Sequence, residues 1–272
     1  MSPYTLWVDP LPRPGWANMA IDQTLLERAA LGERWLRLYR WEPACLSFGR
    51  HEPAARRYDR ARIDALGFSV VRRPTGGRAV WHARELTYAV AAPAAALGPL
   101  RDAYLAIHSI LRDAVRSLGA AAELAAPASG TPVDAGACFA RAAGGEVVVG
   151  HRKVVGSAQL RQDAALLQHG SVLLGDDQRT VAAVTVGHAP SDGSAPLSSL
   201  LGRIVVWEEA ADAVRRAAAT HWGEPVALTA HPAEIIAHAA GHEERYRSSV
   251  WTWHPEQLSR PAAIHPVSQR SA

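Results

Sequence analysis

Apolar and polar positions follow two different periods along the chain. Apolar residues at helical spacing predict four helices, over residues 18–31, 101–119, 207–221 and 232–246. Asn18 is a good N-cap for the first helix, and Gly119 is expected to end the second. Strand-like patterns, alternating or continuously apolar, occur over residues 35–41, 44–50, 69–82, 86–92, 145–161 and 165–175.

The order of these elements indicates the fold class. Groups of strands are separated by helices, and short connections within the groups predict hairpins. We therefore expect an α+β fold with a mixed, mostly antiparallel sheet flanked by helices. Residues 1–253 are expected to form a single domain, and 254–272, with three prolines and no periodicity, a loose C-terminal tail. Residues 127–136 predict a long loop.

The composition is typical of a globular protein. The chain has 272 residues, of which 48% are hydrophobic and 20% are charged, so it can bury a sizeable core. It has no run of about 18 uncharged apolar residues, and its N-terminus lacks the pattern of a secretory signal. Two cysteines do not make a disulfide framework. We expect a cytoplasmic monomer without a membrane segment.

Positive charge is concentrated in one part of the chain. The net charge is only +3, but residues 50–84 contain nine arginines and three acidic residues. Such a patch suits an acidic protein partner or a phosphate, although a solvated arginine-rich face has the same composition. Aromatic residues are not interleaved with the arginines as stacking on bases would require, so no nucleic-acid partner is expected.

Lys153 is the only lysine among the 29 lysine and arginine residues. Arginine cannot lose its proton at a useful pH and lacks a compact head, whereas lysine offers both properties. Valines flank the polar residues around Lys153, and the small residues Gly156, Ser157 and Ala158 follow, where a ligand can approach the backbone. This pattern favours a functional lysine over a surviving surface lysine.

Cys138 is a candidate nucleophile. It follows a loop rich in Gly, Pro and Ala, fifteen residues before Lys153, whereas Cys45 lies in an apolar strand pattern typical of a core. A nearby ammonium lowers the pKa of a thiol and makes it reactive. If the loop folds back over the next hairpin, Cys138 and Lys153 form a pair suited to acyl transfer. A small buried hydrophobic residue is the alternative for a lone cysteine.

Residues 72–82, RRPTGGRAVWH, form another dense polar stretch. Gly76 and Gly77 allow backbone amides to converge on a carbonyl or a phosphate, but the pattern is neither a P-loop nor a dinucleotide fingerprint. His82 here, and His169 in the segment 165–175, are candidate bases, ligand contacts or hydrogen-bonded core histidines.

His238 and His242 have the i, i+4 spacing of a metal-binding pair on a helix. The glutamate of an HExxH motif is absent because Ala239 holds its place, and neither cysteine is near in sequence. We expect a solvated helix face and no metal site.

The stretches RRPTGGRAVWHARELTYAV (72–90) and HRKVVGSAQLRQDAALLQHGSVLL (151–174) resemble two motifs of one superfamily. It is that of the lipoate–protein ligases and octanoyltransferases, which shares its fold with biotin–protein ligases, and the resemblance spans roughly residues 5–250. The finer similarity is to the LipM-type octanoyltransferases, because Arg78 follows the glycine pair and Cys138 stands fifteen residues before Lys153.

This resemblance implies an acyltransferase that needs neither ATP nor a metal. Octanoyl would pass from octanoyl-acyl carrier protein to Cys138 as a thioester, assisted by Lys153. A lysine of a lipoyl domain or of the glycine-cleavage H protein would then receive it. The residues implied to bind the acyl group and substrate are Arg73, Gly76, Gly77, Arg78, His82, Gly156, Ser157, Ala158, His169 and Gly170.

Two departures from that branch leave questions open. Ala83 stands where aspartate is usual, and residues 142–145 are Ala-Ala-Gly-Gly where the branch tends to carry aromatic residues, so the acyl-chain preference is not defined. Three alternatives remain: an ATP-dependent lipoate ligase, an amidotransferase that takes octanoyl from H protein, and a non-catalytic binding module.

Overall fold

The computed structural model describes residues 3–126, 144–176, 178–187, 193–227 and 232–259. The strands are β1 (Thr5–Val8), β2 (Trp35–Tyr39), β3 (Cys45–Phe48), β4 (Ser69–Arg72), β5 (Val80–His82), β6 (Glu85–Pro93), β7 (Ala122–Leu124), β8 (Val147–Val149), β9 (Arg152–Lys153), β10 (Val155–Gln162), β11 (Ala165–Leu173) and β12 (Val226–Ala227). The helices are α1 (Gly15–Ala30), α2 (Ala54–Arg57), α3 (Arg60–Ala65), α4 (Ala94–Leu97), α5 (Leu100–Ser117), α6 (Arg179–Ala183), α7 (Leu197–Leu201), α8 (Trp207–Trp222), α9 (Ala233–Ala240), α10 (Glu243–Arg247) and α11 (Ser249–Trp253), and a short 3-10 turn follows at Pro255–Ser259.

The largest sheet in the described part of the chain has six strands, in the order β10-β11-β6-β2-β1-β12. The pairings from β10 to β2 are antiparallel, and those of β1 with β2 and β12 are parallel. Two three-stranded sheets, β4-β3-β5 and β7-β8-β9, add one parallel and three antiparallel pairings. The expected α+β fold with a mixed, mostly antiparallel sheet flanked by helices is confirmed.

Side-chain alternation along β2 assigns its residues to the two faces of the large sheet. Leu36 and Leu38 belong to a core cluster with α5 and α8. Trp35 and Tyr39 belong to a second cluster, with α1 and the C-terminal helices. Because helices cover both faces, all five residues of this strand are buried.

The long helix α5 forms where its apolar stripe predicts. Its buried residues recur three and four positions apart, as in Ile107, Ile110, Leu111 and Ala114. Gly119 follows its C-terminus with φ 105°, a conformation that favours glycine and ends the helix as expected. None of the described helices is long and apolar enough to span a membrane.

Two sequence predictions were wrong in detail. Asn18 is not an N-cap: α1 begins earlier, at Gly15, and the buried Asn18 amide donates to the carbonyls of Arg13 and Arg40. The predicted helix over 232–246 is two helices, α9 and α10, separated by a turn at Gly241. Helical spacing survives through that turn, since the Gly241 and His242 amides still donate to carbonyls three residues back.

Candidate active site

A narrow pocket that opens to solvent lies between the large sheet, the β4-β3-β5 sheet and α1. Seven of the residues predicted to bind substrate line it: Arg73, His82, Gly156, Ser157, Ala158, His169 and Gly170. The remaining wall is mostly apolar or aromatic, formed by Met19, Tyr39, Trp41, Ser47, Val80, Thr87 and Ser171. Such a lining suits an alkyl chain with a polar head group.

His169 is held by partners on both ring nitrogens. Nδ1 lies 2.8 Å from an Asp22 carboxylate oxygen on α1, and Nε2 lies 2.6 Å from the Thr75 hydroxyl. Burial lowers the pKa of His169 more than the Asp22 charge raises it, which favours the neutral ring. Since a carboxylate only accepts, Nδ1 carries the proton and the Thr75 hydroxyl donates to Nε2. The contact between Thr75 and His169 joins the sequence motifs 72–90 and 151–174.

His82 is enclosed in a similar way. Nδ1 donates to Glu85 Oε1 at 2.8 Å, Nε2 lies 2.7 Å from the Ser47 hydroxyl, and the Trp41 ring stacks on the imidazole at 4.0 Å. The same Glu85 oxygen accepts from the hydroxyls of Thr87 and Ser171. Both cavity histidines are therefore hydrogen-bonded core residues that also line the site.

Arg73 shapes the glycine turn from inside. Its buried guanidinium donates to the Ser47 carbonyl and hydroxyl on one side, and to the carbonyls of Gly76 and Arg78 on the other. Gly77 has φ 90°, which a residue with a Cβ rarely adopts. Gly76, Gly77 and Arg78 thus flank the cavity without lining it.

A chain of hydrogen bonds connects β10 to the residues that follow the 127–143 segment. His108 on α5 donates from Nδ1 to the Gly145 carbonyl, and Nε2 lies 2.8 Å from the Ser157 hydroxyl. Ser157 in turn contacts the Tyr88 hydroxyl, which accepts from Gln168. Burial is the main cause that lowers the pKa of His108 to about 4. Because the neutral ring donates from Nδ1, its Nε2 accepts from Ser157.

Lys153 lies on β9, directly before the cavity strand β10. Its side chain is 2% exposed, and Nζ lies 2.5 Å from Oε1 of the buried Glu146. Strand β8 positions both groups, because Glu146 precedes it and Val148 pairs with Lys153. The backbone of Lys153 is also fixed by hydrogen bonds with Gly193 and Ala195. The single lysine is thus a buried ammonium with a carboxylate partner.

Comparison with known proteins decides the family. The model of the lipoyl protein ligase A/B catalytic domain matches residues 14–219. The octanoyltransferase LipM of Exiguobacterium sibiricum is 36% identical over 266 residues, covering 87% of this chain and 93% of that protein. The octanoyltransferase LipM of Kyrpidia tusciae is 34% identical over 263 residues, with the same coverage of 87% and 93%. The chain belongs to the LipM octanoyltransferase family.

Solved structures show how widely this fold is shared. A lipoate-protein ligase A bound with ATP superposes with a TM-score of 0.74 at 20% identity, covering 92% of this chain and 98% of that chain. A bipartite lipoate protein ligase from Thermoplasma acidophilum gives a TM-score of 0.72 at 18% identity, covering 97% and 100%. The expected superfamily fold and the transferase class of this LipM family member are confirmed.

Several predicted features lie elsewhere. Cys138, residues 142–143, the predicted loop over 127–136 and most of the predicted tail, 260–272, are outside the described residues. Cys45 is fully buried, and burial raises the pKa of its thiol to about 12, so it is a core residue as expected. Ala83 lines a neighbouring cleft with Arg84, Glu85 and Trp207, among others.

The basic segment 50–84 is not one continuous surface. Arg72 and Arg73 are buried, and Arg72 donates to backbone carbonyls of the 49–52 loop and of α11. Arg56, Arg60 and Arg62 are exposed. The two buried arginines therefore organise the fold, and only part of the predicted patch can meet a partner.

Sequence reasoning did not single out the groups that hold the site residues in place. These are Asp22, Thr75, Glu85, His108 and Glu146. Thr75 and Glu85 lie inside the motif 72–90, so the sequence motif itself could have indicated them. Asp22 on α1 and His108 on α5 are far along the chain from their partners His169 and Ser157, and no local pattern distinguishes them.

Proposed function

We propose that this chain transfers octanoyl from octanoyl-acyl carrier protein to a lysine of a lipoyl domain or H protein, through a thioester on Cys138. Membership of the LipM octanoyltransferase family supports the octanoyl chemistry. The buried Lys153 ammonium supports the cysteine route, because it provides a fixed positive charge on the hairpin that enters the cavity strand. Neither ATP nor a metal ion takes part in the proposed reaction.

The proposed first step exchanges one thioester for another. The Cys138 thiolate attacks the octanoyl carbonyl carbon, a C–S bond forms, and the bond to the pantetheine sulfur breaks. The leaving thiolate takes up a proton, and the carrier protein departs. Backbone amides near Gly76–Gly77 or Gly156–Ser157 are candidates for stabilising the oxyanion. As β10 is an edge strand of the large sheet, its alternate amides point away from β11.

In the second step the acceptor lysine attacks as a neutral amine. Its nitrogen bonds to the octanoyl carbon and loses a proton to solvent, and the bond from that carbon to the Cys138 sulfur breaks, so that the thiolate leaves. Lys153 stabilises that thiolate in both steps by charge. His82 and His169 are assigned a positioning role, because their ring nitrogens already have protein partners.

Surface charge is consistent with an acidic carrier protein as donor. Arg56, Arg60 and Arg62 of α2 and α3 are exposed and outnumber the exposed acidic residues of the same segment, Asp59 and Asp64. Such an excess of positive charge increases the association rate with an acidic partner, and salt weakens the effect.

The deciding experiment is the intact mass of the protein after mixing with octanoyl-acyl carrier protein without ATP. We expect a gain of one octanoyl group that neutral hydroxylamine removes. Cys138→Ala should show no gain, whereas the matched control Cys45→Ala should still be acylated, because that thiol lies in the core.

Different donors separate the alternatives. If Cys138→Ala modifies a lipoyl domain when given ATP and free octanoate, the chain is a ligase and the proposal is wrong. Acylation by octanoyl-H protein but not by octanoyl-acyl carrier protein would assign the amidotransferase reaction instead.

A further inference from the structure

A group of three metal-ligating side chains lies outside the cavity, between α1 and the C-terminal helices. Oε2 of Glu27 on α1 is 3.1 Å from His238 Nε2 and 3.0 Å from His242 Nε2. All three ligand atoms lie within 4.8 Å of one another. Glu27 was absent from the sequence prediction because it is more than two hundred residues from both histidines.

The local backbone explains why the two imidazoles converge. His238 lies in the last turn of α9, and His242 follows Gly241 with backbone angles of φ −100° and ψ −11°, which stay close to helical. The i, i+4 relation therefore holds through the turn. Helix α9 packs on α1 through Ile235 and Ala239, which belong to the same core cluster as α1, and this brings its histidine face to Glu27.

The carboxylate is oriented before any ligand binds. The Gln23 amide donates to Glu27 Oε1 at 3.1 Å, which turns Oε2 toward the histidines. Gln23 is buried, and its own oxygen accepts from the Tyr246 hydroxyl on α10 at 3.3 Å. Groups that fix the orientation of a ligand in this way raise metal affinity.

The two oxygen–nitrogen separations fit one ion. Two ligands at about 2.0–2.1 Å from a tetrahedral metal lie about 3.3 Å apart, close to the observed oxygen–nitrogen distances of 3.0 and 3.1 Å. Two imidazoles with one carboxylate suit borderline metals such as zinc, copper and nickel, whereas magnesium and calcium prefer oxygen ligands. The side chain of His238 is 49% exposed, so an ion can enter from solvent and keep a water ligand.

We propose that Glu27, His238 and His242 form a surface site for a divalent transition metal such as zinc. The site joins α1 to the start of the C-terminal helices and stabilises their packing. It is independent of the proposed acyl transfer, since Glu27 lies eight residues beyond the cavity residue Met19, about 12 Å along the helix axis. The simpler alternative is a carboxylate that accepts a hydrogen bond from each histidine.

The test is a zinc titration of the full chain without an affinity tag, in a Cys138→Ala background so that the candidate thiol cannot compete. Isothermal titration calorimetry should show one zinc ion per chain, and zinc should raise the melting temperature until a chelator is added. Glu27→Gln keeps the shape and the Gln23 contact but removes the charge. It should weaken binding at least tenfold, and His238→Ala or His242→Ala should do the same.

His221→Ala is the matched control, because His221 forms a similar pair with a single carboxylate, Asp113, at 2.8 Å. It should bind zinc as the parent does. Cobalt gives a second readout, a visible absorption band that Glu27→Gln loses, and circular dichroism without metal verifies folding. The proposal is overturned if the parent binds no zinc, or if binding persists unchanged in both histidine variants.

Discussion

The Lys153 ammonium and the Glu146 carboxylate lie 2.5 Å apart, and both side chains are buried. A buried charge is costly unless it is paired, and removing one partner leaves the other uncompensated. Each member of the pair therefore offsets the cost of burying the other. An arginine would be larger and would present a planar fork in place of a compact charge.

Glu146→Gln is expected to destabilise the protein by about 3–5 kcal/mol, because it removes the carboxylate charge that faces the Lys153 ammonium in a buried pair. Urea denaturation measures this. The exposed carboxylate Glu209, paired with Arg203, provides the control, and Glu209→Gln should change stability by about 0.5 kcal/mol or less.

A double variant separates stability from chemistry. Glu146→Gln with Lys153→Met removes both charges and should recover most of the lost stability, yet it should not recover acylation of Cys138. If the double variant is acylated at the parent rate, Lys153 has no role in activating the thiol.

His108 predicts a pH dependence of stability. Its pKa is lowered from 6.5 to about 4, chiefly by burial. Above pH 6.5 the ring is neutral in both states, and between pH 6.5 and 4 the unfolded chain binds a proton that the folded chain does not. The free energy of unfolding should therefore decrease as the pH is lowered from 6.5 to 4, by about 3 kcal/mol from this residue.

Urea midpoints at pH 7, 5.5 and 4 would check this prediction. His108→Gln retains a polar side chain without a titrating ring, so its stability should fall less steeply toward low pH than that of the parent. Equal slopes for the two proteins would show that His108 does not contribute.

At the scale of elements, the cavity depends on the close pairing of β10 and β11. Ser157 pairs with Gly170, and a Cβ placed on Gly170 would lie 2.3 Å from the Gly156 carbonyl oxygen and 2.6 Å from the Ser157 hydroxyl oxygen. The glycine therefore allows the two strands to approach while Ser157 keeps its contacts with His108 and Tyr88.

Gly170→Ala should displace β10 and cost about 1–3 kcal/mol, since backbone atoms cannot move aside cheaply. Gly76→Ala is the matched comparison, because nothing lies within 4 Å of a Cβ built there. It should leave the melting temperature nearly unchanged. A slower acylation in Gly76→Ala alone would then indicate contact with substrate, and a large loss of stability there would contradict the described turn.

At the scale of the whole molecule, the C-terminal helices close one face of the fold. The guanidinium of Arg72 donates to the carbonyls of Trp251 and Thr252, and the Trp251 indole donates to the Arg72 carbonyl. Trp253 packs on Phe48 with ring centroids 5.1 Å apart. Helix α11 is thus joined to β3 and β4 by buried hydrogen bonds and by the side chains of Trp251 and Trp253.

Two truncations test this arrangement. Removing residues 255–272 should change the melting temperature little, in line with the predicted loose tail. Removing 249–272 should also remove the buried Trp251 and Trp253, at a cost of about 3–5 kcal/mol for each side chain. Thermal denaturation of both truncated chains distinguishes these effects, and equal stability would contradict the role given to α11.

The sequence by itself determined the elements and the family. Periodicity located the long helices and most strands, because burial of one face imposes a regular spacing that local residues record. The two motifs and the single lysine pointed to the cavity residues. Local patterns could not show that Asn18 lies inside α1, or that Gly241 divides the last predicted helix.

Only the tertiary structure decided which distant groups meet. Asp22 with His169, Glu146 with Lys153, and Glu27 with two histidines are pairings between elements, and no periodicity within one element encodes them. Burial also determines the protonation of single residues. Desolvation lowers the pKa of His108 and raises that of the Cys45 thiol, so both are neutral at pH 7. Desolvation depends on all the surrounding elements together, so it exists only once the chain has folded.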